Sequence, residues 1–191
     1  MEMTPPSGSA LCIPCGLCCD GSLFERANLL AGEEAFTVGL GLKVLTDNGT
    51  KTGFELACPL FSGYCSIYDQ PRPHICGAFK CKLLLRYENN LIDLAAGLEK
   101  VERVRVMQAT LTKILPSPAQ NPPSLSEIKR QMHALSQLGP QERRAHLSFL
   151  MLAAQYEMFL RNHFIITGKK KKSDKTTTEL PEMTNNTPTA N

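Results

Sequence analysis

The residues of this chain with the clearest chemistry are its cysteines. All eight lie between Cys12 and Cys81, and none follows in the rest of the 191 residues. Cys12, Cys15, Cys18 and Cys19 read C-x2-C-x2-C-C, and Cys58, Cys65, Cys76 and Cys81 form a second group after a gap. Two-residue spacings let a tight turn aim successive sulfurs at one ion, as tetrahedral zinc sites and iron–sulfur clusters require. The expectation is a metal-binding protein that uses all eight cysteines as ligands to an iron–sulfur cluster or Zn2+.

The adjacent pair Cys18-Cys19 constrains how this could work. Neighbouring side chains diverge in extended and in helical backbone, so the two ligate more comfortably to different ions, or with one bridging. Two four-sulfur sites and one cluster plus spare redox-active thiols both remain open on spacing alone. The second group is spaced x6, x10 and x4, unlike a regular zinc ribbon. The run C-x2-C-x2-C is like that of bacterial ferredoxins, but the continuation C-x3-C-P is missing; Cys58-Pro59 is an isolated Cys-Pro step. The balance leans towards iron–sulfur. Disulfides would need an oxidising compartment, and eight buried free thiols do not easily arise at ligand-like spacing.

Thiolates gather negative charge, which Arg72, Lys80 and Lys82 are placed in sequence to offset. Gly16 and Gly21 would let the backbone approach the metal closely. His74, between Cys65 and Cys76, could replace a cysteine, but a supporting or surface role suits it better because the cysteines suffice. Tyr68 and Phe79 are expected to pack beside the metal, and Asp20 to cap the turn after Cys19. His133, His146 and His163 fall on predicted helices, as surface or satisfied core residues.

These residues resemble a family. Cys12-Ile13-Pro14-Cys15-Gly16-Leu17-Cys18-Cys19, followed by Cys65-Ser66-Ile67-Tyr68, Arg72-Pro73, Cys76 and Phe79-Lys80-Cys81, is similar to the CxxCxxCC cysteine-cluster family, whose YkgJ-like members are described as zinc- or iron-chelating. The resemblance covers residues 12–85. It implies a compact metal-bound module with the eight cysteines as ligands. Two departures stand out: the Cys65–Cys76 interval is one residue longer than the commonest form, at Pro71, and Gly77 stands where the family often has arginine. The family also resembles the cysteine-cluster region of flagellin lysine methylases, an enzyme class with a large additional domain that this chain lacks the length to hold.

The elements that must position these residues follow from patterning. Residues 1–11 are Pro/Ser/Gly-rich and read as disordered. An extended segment could begin at Gly21-Ser22-Leu23-Phe24. Lys43 to Thr46 and Thr52 to Leu56 flank Asp47-Asn48-Gly49-Thr50, a hairpin signal that would deliver Cys58 off the second strand. After Cys81 the pattern turns helical. Leu91, Leu94, Ala95, Leu98, Val101, Val104, Leu111, Ile114 and Leu115 mark one amphipathic helix, stopped by Pro116 and Pro118. Ser124-Leu125-Ser126-Glu127 is a capping box for a second, with Ile128, Met132 and Leu135 as its stripe. Gly139-Pro140 opens a third, predicted to run to about Thr167 with Gly168 as its stop. Its segment Leu147 to Leu160 is apolar nearly all round, which burial would explain better than a partner; any protein partner is expected on these helices.

The predicted architecture is α+β: a cysteine-cluster module with a hairpin over 12–85, a helical region over 86–167 and a polar tail over 168–191. Formal net charge is +3, of which the lysine-rich tail carries +2 (five lysines against Asp174, Glu179 and Glu182), too weak a balance for general nucleic-acid binding. No run of apolar residues is long enough to span a membrane. The first residues lack a basic and apolar leader, so a cytoplasmic location is expected and the Asn48-Gly49-Thr50 sequon has no role. No phosphate loop, dinucleotide fingerprint, nucleophile elbow or H-E-x-x-H occurs. The alternatives to a plain metal-binding protein are a thiol/metal redox sensor and an enzyme or accessory related to protein lysine N-methylases.

Overall fold

The hairpin forms where the Asn-Gly turn places it. In the computed structural model, which describes residues 8–47, 51–119 and 122–166, β2 (Val44–Asp47) pairs antiparallel with β3 (Lys51–Glu55), Val44 opposite Phe54 and Asp47 opposite Lys51. Turn residues 48–50, with the sequon, lie outside the described residues. A further strand, β1 (Arg26–Asn28), joins the other edge of β3 to give the order β1-β3-β2. The extended segment therefore begins at Arg26 and not at Gly21. Residues 20–23 turn instead, held by Asp20 Oδ1, which accepts from the Ser22 N–H at 2.8 Å. Under the sheet, Leu42, Phe54 and Leu56 form a small core, flanked by Phe24, Leu60 and Ile75.

The larger core is helical. Helix α5 (Leu94–Ile114) starts at Asp93, whose carboxylate accepts from the Ala96 N–H at 2.7 Å. It buries Val101, Val104, Gln108 and Leu111. Against it packs α8 (Leu147–His163) through Phe149, Ala153, Tyr156 and Leu160, spaced for one helical face. Helix α6 (Leu125–Ser136) adds Leu125, Ile128 and Leu135. Half of its capping box is as expected, Ser124 Oγ accepting from the Glu127 N–H at 3.0 Å; the Glu127 carboxylate turns forward to Gln131 and Arg130. The fold is α+β, as predicted.

Four expectations change. The third helix is two, α7 (Pro140–Ala145) and α8, separated at His146 with φ −109° and ψ 16°; nothing in α7 is buried, so no packing ties it to the line of α8. Helix α8 ends at His163, short of Thr167, where Phe164 leaves helical geometry and buries its ring. Its apolar surface is only partly buried: Leu147, Met151 and Met158 remain 53–60% exposed. Residues 9–11, expected to be disordered, open α1 (Ser9–Cys15), because Leu11 finds a site against Gly97 of α5 and is 2% exposed.

The division at residue 85 does not separate two packing units. Leu11, Leu17, Leu23, Leu83 and Leu84 share one core with Val104, Phe149 and Tyr156. Helix α4 (Lys82–Glu88) belongs to that core, and its first N–H, from Lys82, donates to the Phe164 carbonyl at 3.0 Å. Two short helices escaped the sequence reading, α2 (Glu34–Gly39) and α3 (His74–Ala78), each too brief to show a helical period. Among the described residues, no helix is long and apolar enough to cross a membrane.

Candidate metal centre

Five segments present the cysteines. Cys12 and Cys15 lie one turn apart on α1, on the same face of the helix. Gly16 ends α1 in left-handed conformation (φ +60°), its N–H donating to the Cys12 carbonyl at 3.2 Å, and a Cβ there would collide with the Phe61 ring. The turn that follows carries Cys18 and Cys19. The backbone of Cys19 then joins the second group directly, because its carbonyl accepts from the Cys58 N–H at 2.7 Å. Cys58 follows β3 by three residues, as the hairpin predicts. Cys65 is held by an antiparallel bridge to Phe61, Cys76 sits in α3, and Cys81 caps α4, its Sγ accepting from the Leu84 N–H at 3.4 Å.

Between the cysteine turns and the sheet lies a cavity of about 250 Å³. Cys12, Cys18, Cys19, Cys58, Cys65 and Cys76 all line it, together with an apolar wall that includes Phe24, Phe54 and Phe79. Cys12 and Cys76 are exposed and the other six half-buried. Tyr68 and Phe79 pack beside the cavity as expected, Phe79 edge-on to Phe24 with ring centroids 5.3 Å apart.

Burial dominates the thiol chemistry. It pushes Cys15 and Cys19 up to about 12 and Cys76 to about 11, and raises Cys12, Cys18, Cys58 and Cys81 as well. Neighbouring thiols add repulsion: Cys81 and Cys12 act on Cys15, and Cys58, Cys65, Cys12 and Cys76 act on Cys19. Backbone N–H groups work the other way, from Leu17 towards Cys15, from Leu60 towards Cys58, and from Leu84 and Leu83 towards Cys81. In each of the three the N–H two residues on faces the sulfur, an arrangement that favours thiolate over thiol.

Among the cations predicted to offset thiolate charge, Arg72 is placed to do so. It lowers both Cys12 and Cys76 while its guanidinium stacks 4.1 Å over the Tyr68 ring. Lys80 and Lys82 are engaged elsewhere: Lys80 pairs with Glu88 at 2.8 Å, and Lys82 donates to the Arg161 carbonyl at 2.8 Å. The sequence reading missed Arg105, which reaches from α5 to donate to the Cys15 carbonyl at 2.7 Å and favours the ionised forms of Cys15 and Asp20. No local spacing could have revealed it, since 90 residues separate it from Cys15.

The histidines stay out of the site. His74 is exposed at the start of α3, its backbone N–H donating to Glu33 at 2.7 Å. His133 is exposed on α6, His146 stands at the α7–α8 break, and His163 packs 4.5 Å from the Phe159 ring. A second, more polar cleft beside the cysteine turns is lined by Asp20, Arg105 and Gln108.

The donor set suits a thiophilic metal: soft sulfur ligands, N–H groups turned towards sulfur, and two nearby guanidinium groups. The side chains are gathered but not closed, for among the described residues no three His, Cys, Asp or Glu form a group that could hold an ion as they stand. Compared with family models, curated proteins and solved structures, the chain has no match.

Proposed function

We propose that this chain is a metal-binding protein that holds an iron–sulfur cluster or zinc through Cys12, Cys15, Cys18, Cys19, Cys58, Cys65, Cys76 and Cys81. One observation supports this above the others: separate segments bring six of the eight thiols around one small cavity, although burial opposes the ionisation of Cys12, Cys18, Cys19, Cys58 and Cys76. Clustered buried thiols gain little for folding alone, whereas a bound cation converts their mutual repulsion into attraction. Bound metal would supply a cross-link between α1, the 58–65 loop, α3 and the cap of α4, and, if iron–sulfur, an electron-accepting group. The resemblance to the CxxCxxCC family points the same way.

Nothing in the geometry favours a methylase. Amide hydrogen exchange before and after chelation tests the proposal. The expected result is lost protection over residues 56–79, where most backbone bonds close local turns, with protection retained in α5 and α8. Identical protection in the treated and untreated protein would overturn it.

A further inference from the structure

We propose that the eight cysteines divide into two four-sulfur sites, one of Cys12, Cys15, Cys18 and Cys81 and the other of Cys19, Cys58, Cys65 and Cys76. The proposal rests on the metal-binding reading above and deepens it by assigning each ligand.

Two features of the packing draw the division. First, Cys15, Cys18 and Cys81 pack against the helical core with Leu11, Leu17 and Leu84, whereas Cys58 packs against the small core beneath the sheet. Ile75, the residue before Cys76 in α3, packs against that same small core, which places Cys76 on the side of Cys58. Secondly, helix packing in the first set and backbone bonds in the second link their members. In the first, Cys12 and Cys15 share α1, which packs on α4, where Cys81 is the cap. In the second, Cys58 donates to Cys19 and the Cys58 carbonyl accepts from Phe61 at 3.1 Å, Phe61 being the bridge partner of Cys65.

The adjacent pair Cys18-Cys19 is then the seam. Cys18 packs against the helical core, whereas the Cys19 backbone is bonded to Cys58. A guanidinium stands near each set: Arg105 donates to the Cys15 carbonyl at 2.7 Å, and Arg72 lines the cavity with Cys76 and also with Cys12. Four thiolates per Zn2+ leave about −2 at each site, which these guanidinium groups reduce. The set order is interleaved along the chain, with Cys81, the last cysteine, returning to the first site. That interleaving makes one folded unit of the two groups.

Zinc binding to the full chain, stripped of metal and reduced, tests the division. The wild-type protein is expected to take up about two zinc ions and to protect all eight thiols from alkylation. In a C15S/C81S chain, zinc should fall to about one ion, protecting Cys19, Cys58, Cys65 and Cys76 and leaving Cys12 and Cys18 reactive. A C58S/C76S chain should show the mirror pattern, and C15S/C76S should lose both sites. One zinc with four reactive thiols in the wild type would overturn the division while sparing the metal-binding reading. Protection that mixes the two sets in either double variant would do the same, and no zinc uptake at all would overturn both. The wild-type count decides between one site and two even where a variant fails to fold.

Discussion

Gly16 is the residue on which the first cysteine group turns. It is buried with φ +60°, and the Phe61 ring occupies the space a side chain would need. Gly16→Ala should therefore destabilise the fold by roughly 2–4 kcal/mol, through the left-handed strain and the collision together. Urea unfolding measures this, and an unchanged midpoint would remove Gly16 from the account. Gln108 is the second such residue. Its amide donates to Ser22 Oγ at 2.6 Å between buried partners, pinning the turn after Cys19 to α5. Gln108→Leu should cost about 1–3 kcal/mol by stranding the Ser22 hydroxyl, read by the same unfolding curve. At this scale the local spacing shows the cysteine pattern and a glycine inside it, but the role expected for Gly16 is close approach to a metal, whereas it stops α1 in left-handed conformation against Phe61. The sequence was silent about Phe61, Gln108 and Arg105, whose roles depend on contacts across 45 to 90 residues of chain.

Elements explain why the cysteine segments do not stand apart. Helix α1 is seven residues long, too short to persist by itself, and is fixed by Leu11 against Gly97. Leu11→Ala should cost about 2–5 kcal/mol and loosen Cys12 and Cys15 together, seen as faster alkylation of both. Helix α3 depends on a carboxylate: Glu33 accepts from the His74 and Leu30 N–H groups, and these bonds hold its pKa below the usual glutamate value. A depressed folded-state pKa contributes stability above the unfolded value, and that contribution is lost as pH falls through the folded one. Protection of the His74 amide, relative to its intrinsic exchange rate, should fall on acidification through that window, and Glu33→Gln should abolish this pH dependence of protection. An acid-insensitive amide would contradict this. The hairpin and α5 were readable from an Asn-Gly turn and a long helical period. The break at His146 was not, because α7 has good helix formers and lacks only the buried contacts that would align it with α8.

For the whole molecule, the two cores meet at the cysteines. Phe24 touches both, the helical core holds Cys15, Cys18 and Cys81, and the sheet core holds Cys58. A metal at this junction would join the small sheet, with its limited apolar burial, to a helical bundle that is well packed without it. Metal loss should accordingly lower the stability of the sheet side far more than that of α5 and α8, giving two unfolding transitions where the loaded protein shows one. The sequence could place a cysteine module before a helical region, but not the sharing of Leu11, Leu17 and Leu83 with the helices, because apolar residues in a turn-rich segment carry no period that names their partner.

Metal content tests the central claim most directly. The full chain, purified without oxygen, is assayed for iron, sulfide and zinc alongside its absorption spectrum. The account predicts metal in stoichiometric amount, either iron with matching sulfide and a brown colour or zinc without colour. A chain that carries neither metal, takes none up after reduction, and leaves all eight thiols open to alkylation would contradict it.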